Sequence, residues 1–232
     1  TPVWLNNKAA VDAYLKENNK TLHEFYEDYR DRFGFSGPML GLKMAELGCG
    51  LGGMSLEFAR KGASVTGIDA SPLAISCANE LAQARGADID YRVLDLSKPQ
   101  GKIGEFDVIF DSHLLHCLVN ETDRANYFEF IKNNLCPDGV FLLETMVFQK
   151  QFRTPIGFSF DENSVLWKDG EKEVPVRKIL PGIELEKELA DAGLSINYLY
   201  FHAELSFQVF DDYSDYPHQS LPQTARLAAQ LP

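Results

Sequence analysis

Met44-Ala45-Glu46-Leu47-Gly48-Cys49-Gly50-Leu51-Gly52-Gly53 decides how this 232-residue chain is read. The run from Leu42 to Leu47 has the length of a short buried strand, and Met54 to Lys61 reads as a helix, so the glycines fall in a strand-to-helix turn. Glycine lacks a Cβ, which permits positive φ and lets a ligand rest against backbone amides, while a helix start offers N–H groups with no partner in the helix. A nucleotide-like ligand is the expectation at such a turn.

The turn alone leaves the ligand open, because Gly48, Gly50 and Gly53 also satisfy the G-x-G-x-x-G spacing of NAD-binding proteins. Three features narrow it. Glu46, at the carboxyl end of the strand, suits an ammonium group and would repel a pyrophosphate. A second strand, Ala63 to Ile68, ends in Asp69, which can accept hydrogen bonds from ribose hydroxyls. A third, Ile89 to Leu94, ends in Asp95-Leu96, a pair that can meet an adenine amine and cover its ring. Each acid has a plainer reading: Glu46 as a helix-start charge, Asp69 as a helix cap, Asp95 as a turn former.

With Glu46 to Gly52, Gly67-Ile68-Asp69-Ala70-Ser71, Asp95-Leu96, and Phe106 to Asp111 followed by a histidine-containing segment, the chain resembles the class I S-adenosylmethionine-dependent methyltransferases of small-molecule type. The resemblance covers roughly residues 42 to 210. It implies an α/β fold, a Rossmann-like doubly wound, mostly parallel seven-stranded sheet with a C-terminal antiparallel hairpin, an N-terminal helical lid and an insertion after the fifth strand. It also implies S-adenosyl-L-methionine as cofactor. Glu46 and the backbone of Gly48, Cys49, Gly50 and Gly52 would hold the methionine part, Asp69 and Ala70 the ribose, and Asp95 and Leu96 the adenine. Asp111, Ser112 and His113 would complete the cofactor side, Asp111 standing where a small residue is more usual.

Composition bounds the partners. A formal net charge of −12, with no cluster of Lys and Arg, disfavours a polyanion such as DNA or RNA. No apolar run approaches the roughly 20 residues of a membrane helix. Cys49, Cys77, Cys117 and Cys136 are widely spaced and form no CxxC pair, which favours a reduced, cytoplasmic protein. The chain starts at Thr1 rather than Met, so its natural start is left open. Neither a metal-ligand cluster nor an oligomeric state is read from the sequence.

One domain is expected, divided into a helical lid (1–41), a cofactor-binding core (42–147), a substrate-side cap (148–182), a helix and hairpin (183–210) and a tail (211–232). Thr21-Leu22-His23-Glu24 has the form of a capping box opening a second N-terminal helix. Pro137-Asp138-Gly139 reads as a tight turn into the fifth strand. The hairpin is expected from Ser195 to Phe201 and Glu204 to Phe210 around His202-Ala203. The aromatic-rich excursion after the fifth strand is too long for an ordinary connection and leaves the sheet on the face where open α/β sheets bind ligands.

In-line methyl transfer asks mainly for alignment of nucleophile, carbon and sulfur, and a base is optional. His113 and His116 are the base candidates after the fourth strand, since imidazole titrates near neutrality. Trp4, Tyr14, Tyr26 and Tyr29 of the lid, with Phe152 and Arg153 of the cap, are expected to enclose the acceptor; simple packing is the plainer reading of the lid aromatics. The expected function is methyl transfer to oxygen, nitrogen or sulfur of a small-molecule acceptor, with an NAD-dependent oxidoreductase or a non-catalytic cofactor-binding regulator as alternatives.

Overall fold

The computed structural model describes residues 8–33, 39–154, 157–206 and 220–232. At the N-terminus α1 (Lys8–Leu22) runs through a π-helical segment (His23–Glu27) into α2 (Asp28–Phe33), so the expected helix start at Thr21 is not made. The chain continues through β1 (Lys43–Leu47), α3 (Gly53–Arg60), β2 (Ser64–Asp69), α4 (Pro72–Ala84), β3 (Asp90–Val93) and β4 (Phe106–Ser112). A 3-10 turn (Leu115–Cys117), α5 (Glu121–Asn134) and β5 (Leu135–Val147) follow. Pro137-Asp138-Gly139 falls inside β5 at a ladder irregularity, where pairing with β4 skips from Phe106↔Leu135 to Val108↔Val140. Beyond it lie β6 (Phe158–Asp161), β7 (Ser164–Asp169), β8 (Lys172–Lys178), α6 (Gly182–Asp191), β9 (Ser195–Ser206) and β10 (Gln223–Gln230).

The seven-stranded sheet has the order β3-β2-β1-β4-β5-β10-β9. Strands β1 to β5 pair in parallel, while β10 lies antiparallel to both β5 and β9. An antiparallel C-terminal pair is present as expected, but its strands differ from those expected. Extended backbone runs straight through His202-Ala203, and β9 pairs with Gln223–Gln230, a stretch read as tail. The two readings meet at a bulge: the register slips between Gln223↔Ser206 and Thr224↔His202, so the turn-like residues sit in a ladder irregularity.

Alternation along the central strands builds a core on each face. Met44, Val108, Phe110, Val140 and Leu142 pack with Phe25, Tyr26, Tyr29 and Phe58 on one side. Leu47, Ile109, Phe141 and Leu143 pack with Tyr127, Ile131 and Leu189 on the other. Strand side chains point alternately up and down, so helices must cover both faces of such a sheet. The chain winds outward from β1 to β3 and then crosses to β4. That reversal opens a crevice at the carboxyl ends of β1 and β4, where ligands bind in open α/β sheets. The excursion after β5 is itself folded, as the antiparallel sheet β6-β7-β8.

Candidate functional site

The glycine turn leaves β1 at this crevice. Gly48, Gly50 and Gly52 all have positive φ, 68°, 53° and 76°. At Gly52 a Cβ would also stand 2.0 Å from the Tyr91 hydroxyl, so only glycine fits the backbone and the space together. Cys49 is buried, and burial, reinforced by Glu46 and Asp69, raises its thiol far above the ordinary range, which suits a packing residue and not a nucleophile.

The start of α3 is already occupied. Glu46 Oε2 accepts the Ser55 N–H at 2.7 Å and the Ser55 hydroxyl, and the Tyr14 hydroxyl accepts the Gly53 N–H at 3.2 Å. The helix-start reading of Glu46 is therefore what the structure shows for this oxygen. Burial pushes the Glu46 carboxyl up to about 7, the Ser55 bonds oppose the shift, and Asp69 and Asp111 add to it. A pyrophosphate needs the very amides that a carboxylate and a tyrosine hold here.

Asp69, at the end of β2, accepts the Gly50 N–H through Oδ2 at 2.9 Å and the Ser71 N–H through Oδ1 at 2.8 Å. It ties the glycine turn to the start of α4, and each oxygen keeps a second acceptor direction. Asp95 closes its own turn, accepting from Ser97 N–H at 3.1 Å and Ser97 Oγ–H at 2.6 Å, with Lys98 at 2.7 Å. Lys98 and Ser97 hold this partly exposed carboxyl below its usual range. A cavity of about 110 Å³ joins these residues, lined by Gly48, Asp69, Ala70, Asp95 and Leu96 among others and floored by Leu114 and Leu118. Larger depressions of 520 and 730 Å³ lie elsewhere, beside α1 and between α5 and α6. The smaller cavity is the one at the crevice, and its acids at one end and apolar floor suit a nucleoside.

The segment after β4 forms the facing wall. Asp111 is fully buried and directed into the protein: it accepts the Leu114 N–H at 2.7 Å, the Leu115 N–H at 3.0 Å and the Tyr127 hydroxyl at 2.5 Å. Burial raises it to about 6 against those bonds. It shapes the loop and does not line the crevice. His113 has φ 80°, a left-handed conformation costing a non-glycine residue roughly 1–3 kcal/mol. Its Nε2 lies 3.2 Å from Glu144 Oε1, and Ser112 Oγ donates to the same oxygen at 3.0 Å. The His113 side chain is 26% exposed, yet both ring nitrogens lie below the surface, so its carbon edge faces out. His116 is buried, with Nδ1 against Thr145 Oγ1 at 3.3 Å, and burial drives its pKa far down. In this geometry neither of the two base candidates, His113 and His116, offers a nitrogen to the crevice.

Other expected acceptor contacts are redistributed. Tyr26 and Tyr29 are 2% exposed and belong to the core under the sheet, Tyr26 edge-on to Phe58 at 5.9 Å. Packing replaces the acceptor role because side chains from α3 and the sheet enclose them. Tyr14 is half-buried at the α3 start, and Trp4 lies outside the described residues. Phe152 is edge-on to Phe160 at 5.2 Å within the aromatic cluster joining the cap to the end of β5, and Arg153 is exposed, its backbone N–H donated to Ser220. Tyr91, Glu144 and Arg226 went unread in the sequence. Glu144 alone carried a signal, an acid inside the apolar run from Val140 to Val147.

A glycine turn at the switch point, a small cavity lined by Asp69 and Asp95 and a helix start closed to phosphate mark a Rossmann-like protein and favour an adenosyl ligand without a pyrophosphate. Residues 44–139 match the family model described as a methyltransferase domain. A ubiquinone biosynthesis O-methyltransferase of Methylocella silvestris is 36% identical over 86 residues, 37% of this chain and 33% of the relative. One from Rhizobium etli is 29% identical over 160 residues, 68% of this chain and 62% of the relative. The chain thus spans from a third to under two thirds of these relatives. An S-adenosylmethionine-dependent methyltransferase from Clostridium acetobutylicum superposes with a TM-score of 0.64 at 17% identity, covering 91% of each chain, a likeness of fold. Residues 44–139 thus match a methyltransferase domain, and the chain has the fold of S-adenosylmethionine-dependent methyltransferases of known structure.

Proposed function

We propose that this chain transfers the methyl group of S-adenosyl-L-methionine to a small-molecule acceptor, with oxygen the favoured acceptor atom because the curated relatives are named O-methyltransferases. One observation carries the reading: the start of α3 is held by Glu46 and Tyr14, which leaves the glycine turn open to an amino-acid head group but not to a pyrophosphate. The same observation disfavours an NAD-dependent oxidoreductase.

When bound, the cofactor supplies an activated methyl group on a sulfonium, a centre that leaves as a neutral thioether. The chain's part is alignment. The glycine turn from Gly48 to Gly52 would lie against the amino-acid end, Asp69 and Ala70 against the ribose, and Asp95 and Leu96 against the adenine over the Leu114 and Leu118 floor. Buried Glu46 faces the same turn and, when ionised, favours the ammonium. Ser112 and His113, expected on the cofactor side, are reassigned in this proposal to the wall facing the acceptor, while Phe152 and Arg153 belong to the cap beside it. Alignment of this kind can supply about 7–11 kcal/mol of a barrier. The charge of −12 suits a neutral or cationic acceptor and argues against nucleic acid; cytoplasmic residence is part of the same proposal. Among the described residues no helix is long and apolar enough to cross a membrane.

Thermal melting separates the cofactors, since a ligand of the native state stabilises by about 2.7 kcal/mol at one hundred times its Kd. S-adenosylhomocysteine should raise Tm by several degrees and NAD should leave it in place; the reverse pattern would overturn the reading. Labelled cofactor with a catechol, an amine and a thiol then tests transfer, and binding without any methylated product would mark a regulator instead.

A further inference from the structure

Glu144 stands in mid-strand with its carboxylate fully enclosed. Burial works to raise it, yet His113 and Arg226 bring it down to about 2, so the group is an ionised acid inside the core. Its oxygens are divided between two sides of the molecule. Oε1 accepts from Ser112 Oγ at 3.0 Å and lies 3.2 Å from His113 Nε2, while Oε2 accepts from Arg226 Nε at 2.5 Å. The backbone carbonyl of Glu144 also accepts the His113 N–H at 3.0 Å. One residue of β5 therefore holds the left-handed His113 by a main-chain hydrogen bond and sets a carboxylate oxygen 3.2 Å from its ring nitrogen.

Arg226 carries the connection further. Buried on β10, it lies 3.7 Å from Glu24 Oε2 and 5.6 Å from the centre of the Phe25 ring. Glu24 and Phe25 belong to the π-helical segment between α1 and α2. A π-helical turn inside a longer helix is a rare geometry that recurs at functional sites. Here it brings an acid and a ring to the same guanidinium.

We propose that Glu144 is a positioning residue that sets the Ser112–His113 wall, and that Arg226 ties this wall to the N-terminal helical segment, making the seating of that segment and the shape of the acceptor side one structural unit. The inference rests on the methyl-transfer reading for its kinetic readout and is independent of it for its spectroscopic one. With Nε2 3.2 Å from a carboxylate oxygen, a ring proton of His113 is favoured on Nε2.

Three variants test this. Glu144→Gln keeps the shape and removes the charge, Arg226→Lys keeps the charge and loses the Nε bond, and the double variant E144M/R226M removes both charges so that no lone buried ion is left to unfold the chain. Nitrogen NMR should show His113 as the Nε2–H tautomer in the parent and without that preference in the double variant. Amide exchange at residues 24–33 should quicken in the double variant as well. For S-adenosylhomocysteine, Kd should stay within about threefold throughout, as expected of groups outside the cofactor contacts. With 3,4-dihydroxybenzoate as probe acceptor, kcat should fall at least about tenfold in Glu144→Gln while KM moves less than about threefold, and Arg226→Lys should recover most of the rate. Unchanged His113 signals and unchanged exchange in the double variant would overturn the proposal, as would parallel losses of Kd, KM and kcat. A parent that binds no adenosyl ligand would sink the methyl-transfer reading alone, and the ring signals would still judge the positioning role.

Discussion

Gly50 and Gly52 are interchangeable to the eye and unequal in the molecule. Both have positive φ, but a Cβ at Gly50 meets nothing within 4 Å, whereas one at Gly52 strikes the Tyr91 hydroxyl. Gly50→Ala should cost only the left-handed backbone, about 1–2 kcal/mol, and Gly52→Ala should cost distinctly more by urea denaturation, with partial recovery on adding Tyr91→Phe. Asp69→Ala should weaken S-adenosylhomocysteine binding more than about tenfold by calorimetry, and it should also lower stability by about 1–3 kcal/mol, because two backbone amides lose their acceptor. The buried acids make stability depend on pH. Glu46, raised from 4.5 to about 7, stabilises the fold fully below pH 4.5, and that contribution is lost as pH rises toward 7; Asp111, raised to about 6, acts in the same sense. Glu144, lowered to about 2, contributes above pH 4.5 and loses its contribution as pH falls toward 2. Stability should therefore decline from pH 4.5 to 7 by on the order of 2–3 kcal/mol more in the parent than in Glu46→Gln, and equal slopes in denaturation curves would refute that assignment.

At the scale of elements, the N-terminal helix reaches the start of α3 through the Tyr14 hydroxyl. Tyr14→Phe removes the acceptor of the Gly53 N–H, so stability should fall by only about 0.5–1.5 kcal/mol while S-adenosylhomocysteine affinity drops severalfold; unchanged affinity would make α1 a packing helix alone. Strand β5 shows how period-two patterning becomes energy. Phe141 points into the α5 and α6 face with no exposure, and Phe141→Ala should cost about 3–5 kcal/mol in a melt of the purified chain. Strands β1, β2 and β4 were legible because each is a short, largely apolar run ended by a glycine or an acid. The N-terminal helix was misread at Thr21 because a capping box is a local preference, and here packing of Phe25 and Tyr26 under the sheet carries the helix through it.

Across the whole molecule, the charge of −12 should keep the chain from a heparin column at about 0.15 M salt, and retention there would reopen a polyanionic partner. The motifs around Glu46, Asp69 and Asp95 were readable because a βα unit keeps strand, turn and helix start within a few residues of one another. Local order alone determined the alternating α/β architecture, the glycine turn and the class of cofactor. Tertiary structure decided which segment completes the sheet, since β9 finds its partner across a gap from Ser206 to Gln223 that no periodicity spans. It also decided that Tyr26 and Tyr29 are core, that His116 is sealed, and that Glu144 meets an arginine 82 residues away. The physical reason is common to all of these: burial and ion pairing belong to distances in space, and a chain's spacing reports them only where neighbours in sequence are also neighbours in the fold.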